Sequence, residues 1–182
     1  MNNMHRLLTL GTLVLALGGC SGDLGRTDGG GVTLSITDFD GLPISISASA
    51  ESPGPSTIGQ ITISNVAIDP SGTTSDLMNV ELQSIELSFT RADRGTRLPP
   101  RFIDFIFGII PVNGTIQITN QPYLKSDQFL SVPIKDLLDF GVDTETNSQV
   151  IALNVTLRAF GRTLAGKAVA SAPATFSLEV QP

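Results

Sequence analysis

From Val32 onward the chain is organised by a two-residue repeat of apolar and polar side chains. Val32, Leu34 and Ile36 alternate with Thr33, Ser35 and Thr37, and Leu42, Ile44, Ile46 and Ala48 repeat the pattern. Ile151, Leu153, Val155 and Leu157 do the same, as do Ala174, Phe176, Leu178 and Val180. Only an extended strand places every second side chain on one side, so this period commits the region to β structure with one face inward. Two parity shifts interrupt it. Met78, Val80 and Leu82 give way to Ile85, Leu87 and Phe89, and one extra residue near Gln83–Ser84 restores a common inward face. Ile61 and Ile63 give way to Val66 and Ile68, which predicts a second bulge near Asn65.

Turn signals separate the runs: Ser52-Pro53-Gly54-Pro55-Ser56, Pro70-Ser71-Gly72, Asp93-Arg94-Gly95 and Pro99-Pro100. Asn113-Gly114 is a two-residue hairpin signal between Phe102–Ile110 and Thr115–Thr119. Helical spacing occurs once, at Ile134, Leu137 and Leu138, with Gly141 as a stop. The count is eight or nine short strands with one short connecting helix. That predicts an all-β, antiparallel sandwich over residues 32–182, with an eight-stranded barrel as the competing closure. About 150 residues suffice for one substantial core, burying roughly 70% of the unfolded surface. The stretch Phe160-Gly-Arg-Thr-Leu-Ala-Gly-Lys-Ala-Val169 and the alternating strand after it resemble the closing hairpin of bacterial Ig-like domains. The resemblance implies an Ig-like sandwich, but one without the Cys-Trp-Cys core of antibody domains, since the chain has no tryptophan.

The N-terminus reads as an address. Arg6 supplies one fixed charge, Leu7 to Leu17 is an apolar run, and Gly18-Gly19-Cys20 follows. A basic start, a core of about a dozen apolar residues and small residues at the cut describe a secretory signal. The run is too short for a permanent span, which needs about 20 apolar residues. Leu17-Gly18-Gly19-Cys20 resembles the lipobox of bacterial lipoproteins. What the resemblance implies is diacylglyceryl modification of the Cys20 sulfur, cleavage that removes residues 1–19, and attachment to the cell envelope through Cys20. Two or more acyl chains hold where one is marginal, at about 0.8 kcal/mol per buried methylene. Ser21, next to the modified residue, implies outer-membrane sorting by the enterobacterial rule. Residues 20–31 then form a polar, glycine-rich linker with an r.m.s. reach of about 18 Å.

Composition removes several function classes. The only histidine is His5, inside the signal, and the only cysteine is Cys20. A mature chain without imidazole or free thiol has no nucleophile–imidazole catalysis and no thiolate or imidazole zinc site. The formal net charge is −6, without a basic stripe, so nucleic acid is not an expected partner. No cofactor and no catalytic residue are nominated.

Four weaker features remain. Asp38 and Asp40 offer hard oxygens before Gly41, a calcium candidate. In an EF-hand frame starting at Asp38, Leu42 and Ser49 fall where ligands belong, so that loop type fails. Asp136, Asp139, Asp143 and Glu145 are candidate paired carboxylates for glycoside chemistry. With one tyrosine and no tryptophan to stack sugars, they read as a solvated acidic loop. Arg91, Arg94, Arg97 and Arg101 form a basic loop suited to an anionic partner such as lipid head groups, an envelope polysaccharide or an acidic protein patch. The competing reading is a solvated loop balancing an acidic domain. Phe102–Ile110 is nearly all apolar and reads as a central strand buried on both faces, against an alternative in which one face is an exposed interaction patch. The functional expectation is a lipid-anchored envelope lipoprotein serving as a non-catalytic structural or protein-interaction module. Presentation of a small hydrophobic or glycan ligand is the alternative.

Overall fold

A computed structural model describes residues 29–40, 42, 45–48 and 55–182. The signal, Cys20 and most of the linker lie outside the described residues. The alternating stretches form nine strands: β1 (Val32–Asp40), β2 (Ser45–Ser47), β3 (Ser56–Ala67), β4 (Val80–Arg91), β5 (Phe102–Ile110), β6 (Gly114–Leu124), β7 (Ile151–Thr163), β8 (Ala168–Ala170) and β9 (Ala174–Gln181). Two short helices, α1 (Ser126–Phe129) and α2 (Ile134–Phe140), link β6 to β7.

The strands divide into a three-stranded sheet, β1-β3-β6, and a six-stranded sheet, β2-β9-β7-β4-β5, with β8 also on β7. This is the partition of a two-sheet sandwich: successive strands change sheets at β1–β2, β2–β3, β3–β4, β5–β6 and β6–β7. The pairing is antiparallel except where β2 joins β9 and where Leu34 bridges Ser171, both parallel. Those contacts let the N-terminal strand reach both sheets. The inward rows meet in one core, with Leu34, Ile61 and Ile63 facing Leu82, Ile85, Leu87, Leu153 and Val155, all fully buried. Each such side chain contributes about 1.5–3 kcal/mol relative to exposure. Phe176 is set edge-on against Phe39 and Tyr123, at 6.0 and 5.6 Å between centroids.

The parity shift in β4 is a bulge, as the sequence predicts: the register slips between Leu82 and Ser84 against both neighbours, and Val80, Leu82, Ile85, Leu87 and Phe89 all point inward. The predicted bulge near Asn65 is absent. Pairing runs without a break from Ile63 through Ala67, so Asn65 itself faces inward and Val66 and Ile68 are exposed. A polar residue tolerates that place because Asn65 Nδ2 donates to Met78 O (3.0 Å) and Ile110 O (3.1 Å).

Those bonds also explain the Asn113-Gly114 turn. The turn forms, with Gly114 N donating to Pro111 O at 2.9 Å and Asn113 at φ 58°, but β5 and β6 do not pair. β5 pairs with β4 and β6 with β3, so the turn carries the chain between sheets. Asn113 Oδ1 accepts from Ala67 N (3.0 Å) and Asn79 Oδ1 from Val112 N (2.9 Å), fastening the crossing to the β3–β4 connection. The expected helix is α2, stopped by Gly141 in the left-handed region at φ 72°. α1 is an addition: its single turn starts where Lys125 N donates to Gln128 Oε1 at 2.7 Å.

Candidate functional site

The two charged loops singled out in the sequence meet each other. β4 ends at Arg91, whose guanidinium turns inward and binds Asp93 through Nε (2.6 Å) and Nη2 (2.8 Å). The same Nη2 reaches Asp143 Oδ2 at 2.8 Å. A Cβ at Gly95 would run into the Arg91 guanidinium, so any larger residue there would have to displace the arginine tip from its present contacts. Arg97 completes the arrangement: its Nη2 lies 3.1 Å from Asp143 Oδ1, 3.0 Å from Asp136 Oδ2 and 2.7 Å from Thr144 Oγ1. Glu145 accepts from Thr96 N at 2.8 Å and from Arg97 N at 3.0 Å. The side chains of Arg91 and Asp143 are 3% and 0% exposed, against 37% for Arg97, so the hub has a dry centre and a wet rim.

This corrects the reading of residues 136–145 as a solvated acidic loop. Asp136 and Asp143 are buried, and α2 together with the turn Asp143–Ser148 aims them at the arginines. Asp139 stays outside on a pair with Lys135, one helical turn away. The basic loop is likewise divided. Arg91 and Arg97 are committed internally, Arg101 is exposed with Glu86 at 3.3 Å, and Arg94 is exposed.

Electrostatics follow the geometry. Burial works against ionisation of Asp93, but the Arg91 guanidinium and the Gly95 and Ala152 amides outweigh it and hold the carboxyl at about 2. Burial opposes the Asp143 charge too, and Arg91, Thr146 and the Glu145 amide keep its pKa below the ordinary value. The Thr96 hydroxyl, with the Arg97 and Thr96 amides, holds Glu145 at about 2. For Arg91, burial is offset by Asp93 and Asp143, and its pKa lies above the usual value.

Asp38 and Asp40 sit on one exposed side of β1, with Phe39 between them turned toward the core. Among the described residues no group of three or more His, Cys, Asp or Glu is placed to hold a metal ion, and no helix is long and apolar enough to cross a membrane.

The second feature is β5, and it overturns the expectation of a central strand buried on both faces. β5 is the last strand of the six-stranded sheet. Its alternate residues Ile103, Phe105, Phe107 and Ile109 are 52%, 77%, 81% and 58% exposed. Phe102, Ile106 and Ile110 turn toward the core.

The hub could not be assembled from sequence, because its halves lie 46–52 residues apart along the chain. The one available signal was two blocks of opposite charge. No family model, no curated protein and no solved structure matches this chain.

Proposed function

We propose that the chain is a lipid-anchored lipoprotein of the bacterial cell envelope, held by Cys20 and serving as a non-catalytic structural or protein-interaction module. The observation that carries the interaction role is the exposed apolar row on β5, since contiguous apolar surface on a folded domain marks a contact site. The anchor rests on the resemblance of Leu17-Gly18-Gly19-Cys20 to a lipobox, and the outer membrane is the favoured location by the residue at position 21.

The non-catalytic reading is supported by the state of the best-placed carboxylates. Asp93, Asp143 and Glu145 are all held below their ordinary range and are committed to donors. A general acid for glycoside hydrolysis needs the opposite, a carboxyl raised toward neutral pH. Arg94 and Arg101 are the arginines left for an anionic envelope polysaccharide or protein, while Arg91 and Arg97 serve the fold.

Palmitate labelling in a bacterial host tests the anchor. Wild-type chain is expected to take up label and partition with membranes, and Cys20→Ala to do neither. Labelling that persists in Cys20→Ala refutes the anchor.

A further inference from the structure

The long edges of the two sheets differ in what they turn outward. β1 presents Thr33 and Ser35, then Asp38 and Asp40 beyond its register shift. β6 presents Thr115, Gln117 and Thr119, and β2 is three residues long. Among the described edges β5 alone carries a row of large apolar side chains. It is nine residues long, has no proline or lysine, and its burial alternates along its whole length, with a register shift against β4 between Phe105 and Gly108. Among the described residues its outer edge has no strand beside it, which leaves a row of backbone N–H and C=O groups for pairing.

The row is one strand wide. On β4, Glu81 lies beside Ile109 and Glu86 beside Ile103, so charge borders the apolar side chains on the inner flank. That shape fits another strand laid along the edge better than a broad lipid surface. The sequence of β5 also says which strand. Read in both directions from Ile106, Phe105 answers Phe107, Ile103 answers Ile109 and Phe102 answers Ile110.

We propose that β5 pairs antiparallel with β5 of a second copy of this chain, about a two-fold axis through Ile106. Each contact then occurs twice, as an isologous interface requires. Phe105 stands opposite the second copy's Phe107 and Ile103 opposite its Ile109, giving a ladder of aromatic and β-branched cross-strand pairs. Asp104 is an inward charge on an edge strand, a usual device against such pairing. Here it is already held by Lys125 Nζ at 3.5 Å and Gln121 Nε2 at 3.1 Å, and the register brings Gly108 opposite it, not a second carboxylate. The two six-stranded sheets become one continuous sheet. A strand edge of this length buries less than a standard interface, so the dimer is expected with a Kd of the order of micromolar. The pairing does not depend on the lipid anchor.

Light scattering coupled to size exclusion, on the full chain in mild detergent across micromolar concentrations, reads the mass. Wild type and Cys20→Ala are expected to be dimeric, and Phe105→Lys/Phe107→Lys monomeric with the far-UV circular dichroism of wild type. In the Cys20→Ala background, mild oxidation is expected to join copies carrying Ile103→Cys/Ile109→Cys but not Ile103→Cys alone. A wild-type chain that stays monomeric overturns the proposal. If that monomer binds phosphatidylethanolamine–phosphatidylglycerol vesicles through the same phenylalanines, lipid is the occupant instead. A dimer that survives Phe105→Lys/Phe107→Lys, or one that is lost with Cys20, also overturns it, because β5 is then not what joins the copies. Equal cross-linking by the single and double cysteine variants overturns the register.

Discussion

Asp143→Ala is the substitution that tests the hub most directly. The side chain is fully buried and accepts from Arg91 Nη2 (2.8 Å), Arg97 Nη2 (3.1 Å), Thr146 Oγ1 (2.7 Å) and Glu145 N (3.2 Å). Removing one partner of a buried ion pair costs about 3–5 kcal/mol, mostly because the other charge is left without compensation. Two features move this case to the low end. Arg91 keeps its two-point contact with Asp93, and Arg97 is partly solvated and keeps Asp136. The expected loss is therefore about 3 kcal/mol, a large share of the ~5–15 kcal/mol that holds a domain folded. At about 2–4 °C per kcal/mol for a chain of this size, Tm falls by roughly 6–12 °C.

Urea titration of the full chain at neutral pH, followed by far-UV circular dichroism, measures the loss. Arg101→Ala is the internal control: its pair with Glu86 is exposed, and such pairs contribute about 0–1 kcal/mol. Replacing both buried partners, Arg91→Met with Asp143→Leu, is expected to recover part of the stability lost by Asp143→Ala, since no charge is then stranded. A loss below about 1 kcal/mol in Asp143→Ala would refute the reasoning, because Arg91 would then be reaching water and the centre of the hub would not be dry.

Two further outcomes follow from the same structure. Asp93 and Glu145 are held at about 2 against ordinary values of 3.8 and 4.5, so the stability they confer is fully present above those ordinary values and is lost as pH falls through 2. The urea midpoint is expected to hold from neutral pH to about 4.5 and then drop, less steeply in Asp93→Asn, and an acid limb unchanged in that variant would remove Asp93 from the account. Asn65→Ala strands the Ile110 carbonyl at a cost of about 1–3 kcal/mol, partly offset because the buried Asn65 Oδ1 lacks a partner in the native protein. A urea midpoint equal to wild type would show that this side chain is not a strut.

What could be read from sequence was what depends on neighbours along the chain. The β4 bulge was legible because three inward apolar residues on each side of Gln83–Ser84 fix the parity twice. The same signal at Ile63–Val66 misled, since alternation alone does not distinguish an outward valine from an inward asparagine satisfied by two carbonyls. The turn at Asn113–Gly114 was legible as a turn, but its flanking strands belong to different sheets, and the crossing is fastened by bonds to distant segments at Asn65, Ala67 and Asn79. α1 is a single turn and too short to leave a period. The ion-pair hub needed the tertiary fold to bring Arg91 to Asp143.

Two of the places where polarity and burial part company call for different explanations. Asn65 is polar and inside, and its hydrogen bonds to Met78 O and Ile110 O account for it within the chain. Ile103, Phe105, Phe107 and Ile109 are apolar and outside, and nothing within the described residues covers them. Single exposed apolar side chains are ordinary on folded proteins. Four along one strand edge are not, because an apolar edge promotes association unless something blunts it. The neighbouring edges are blunted, β1 by threonine, serine and aspartate and β6 by threonine and glutamine. The departure is therefore local to the one strand whose outward residues match in both directions about Ile106, and a partner strand of that same sequence would pair its open edge and set each outward side chain beside an apolar neighbour.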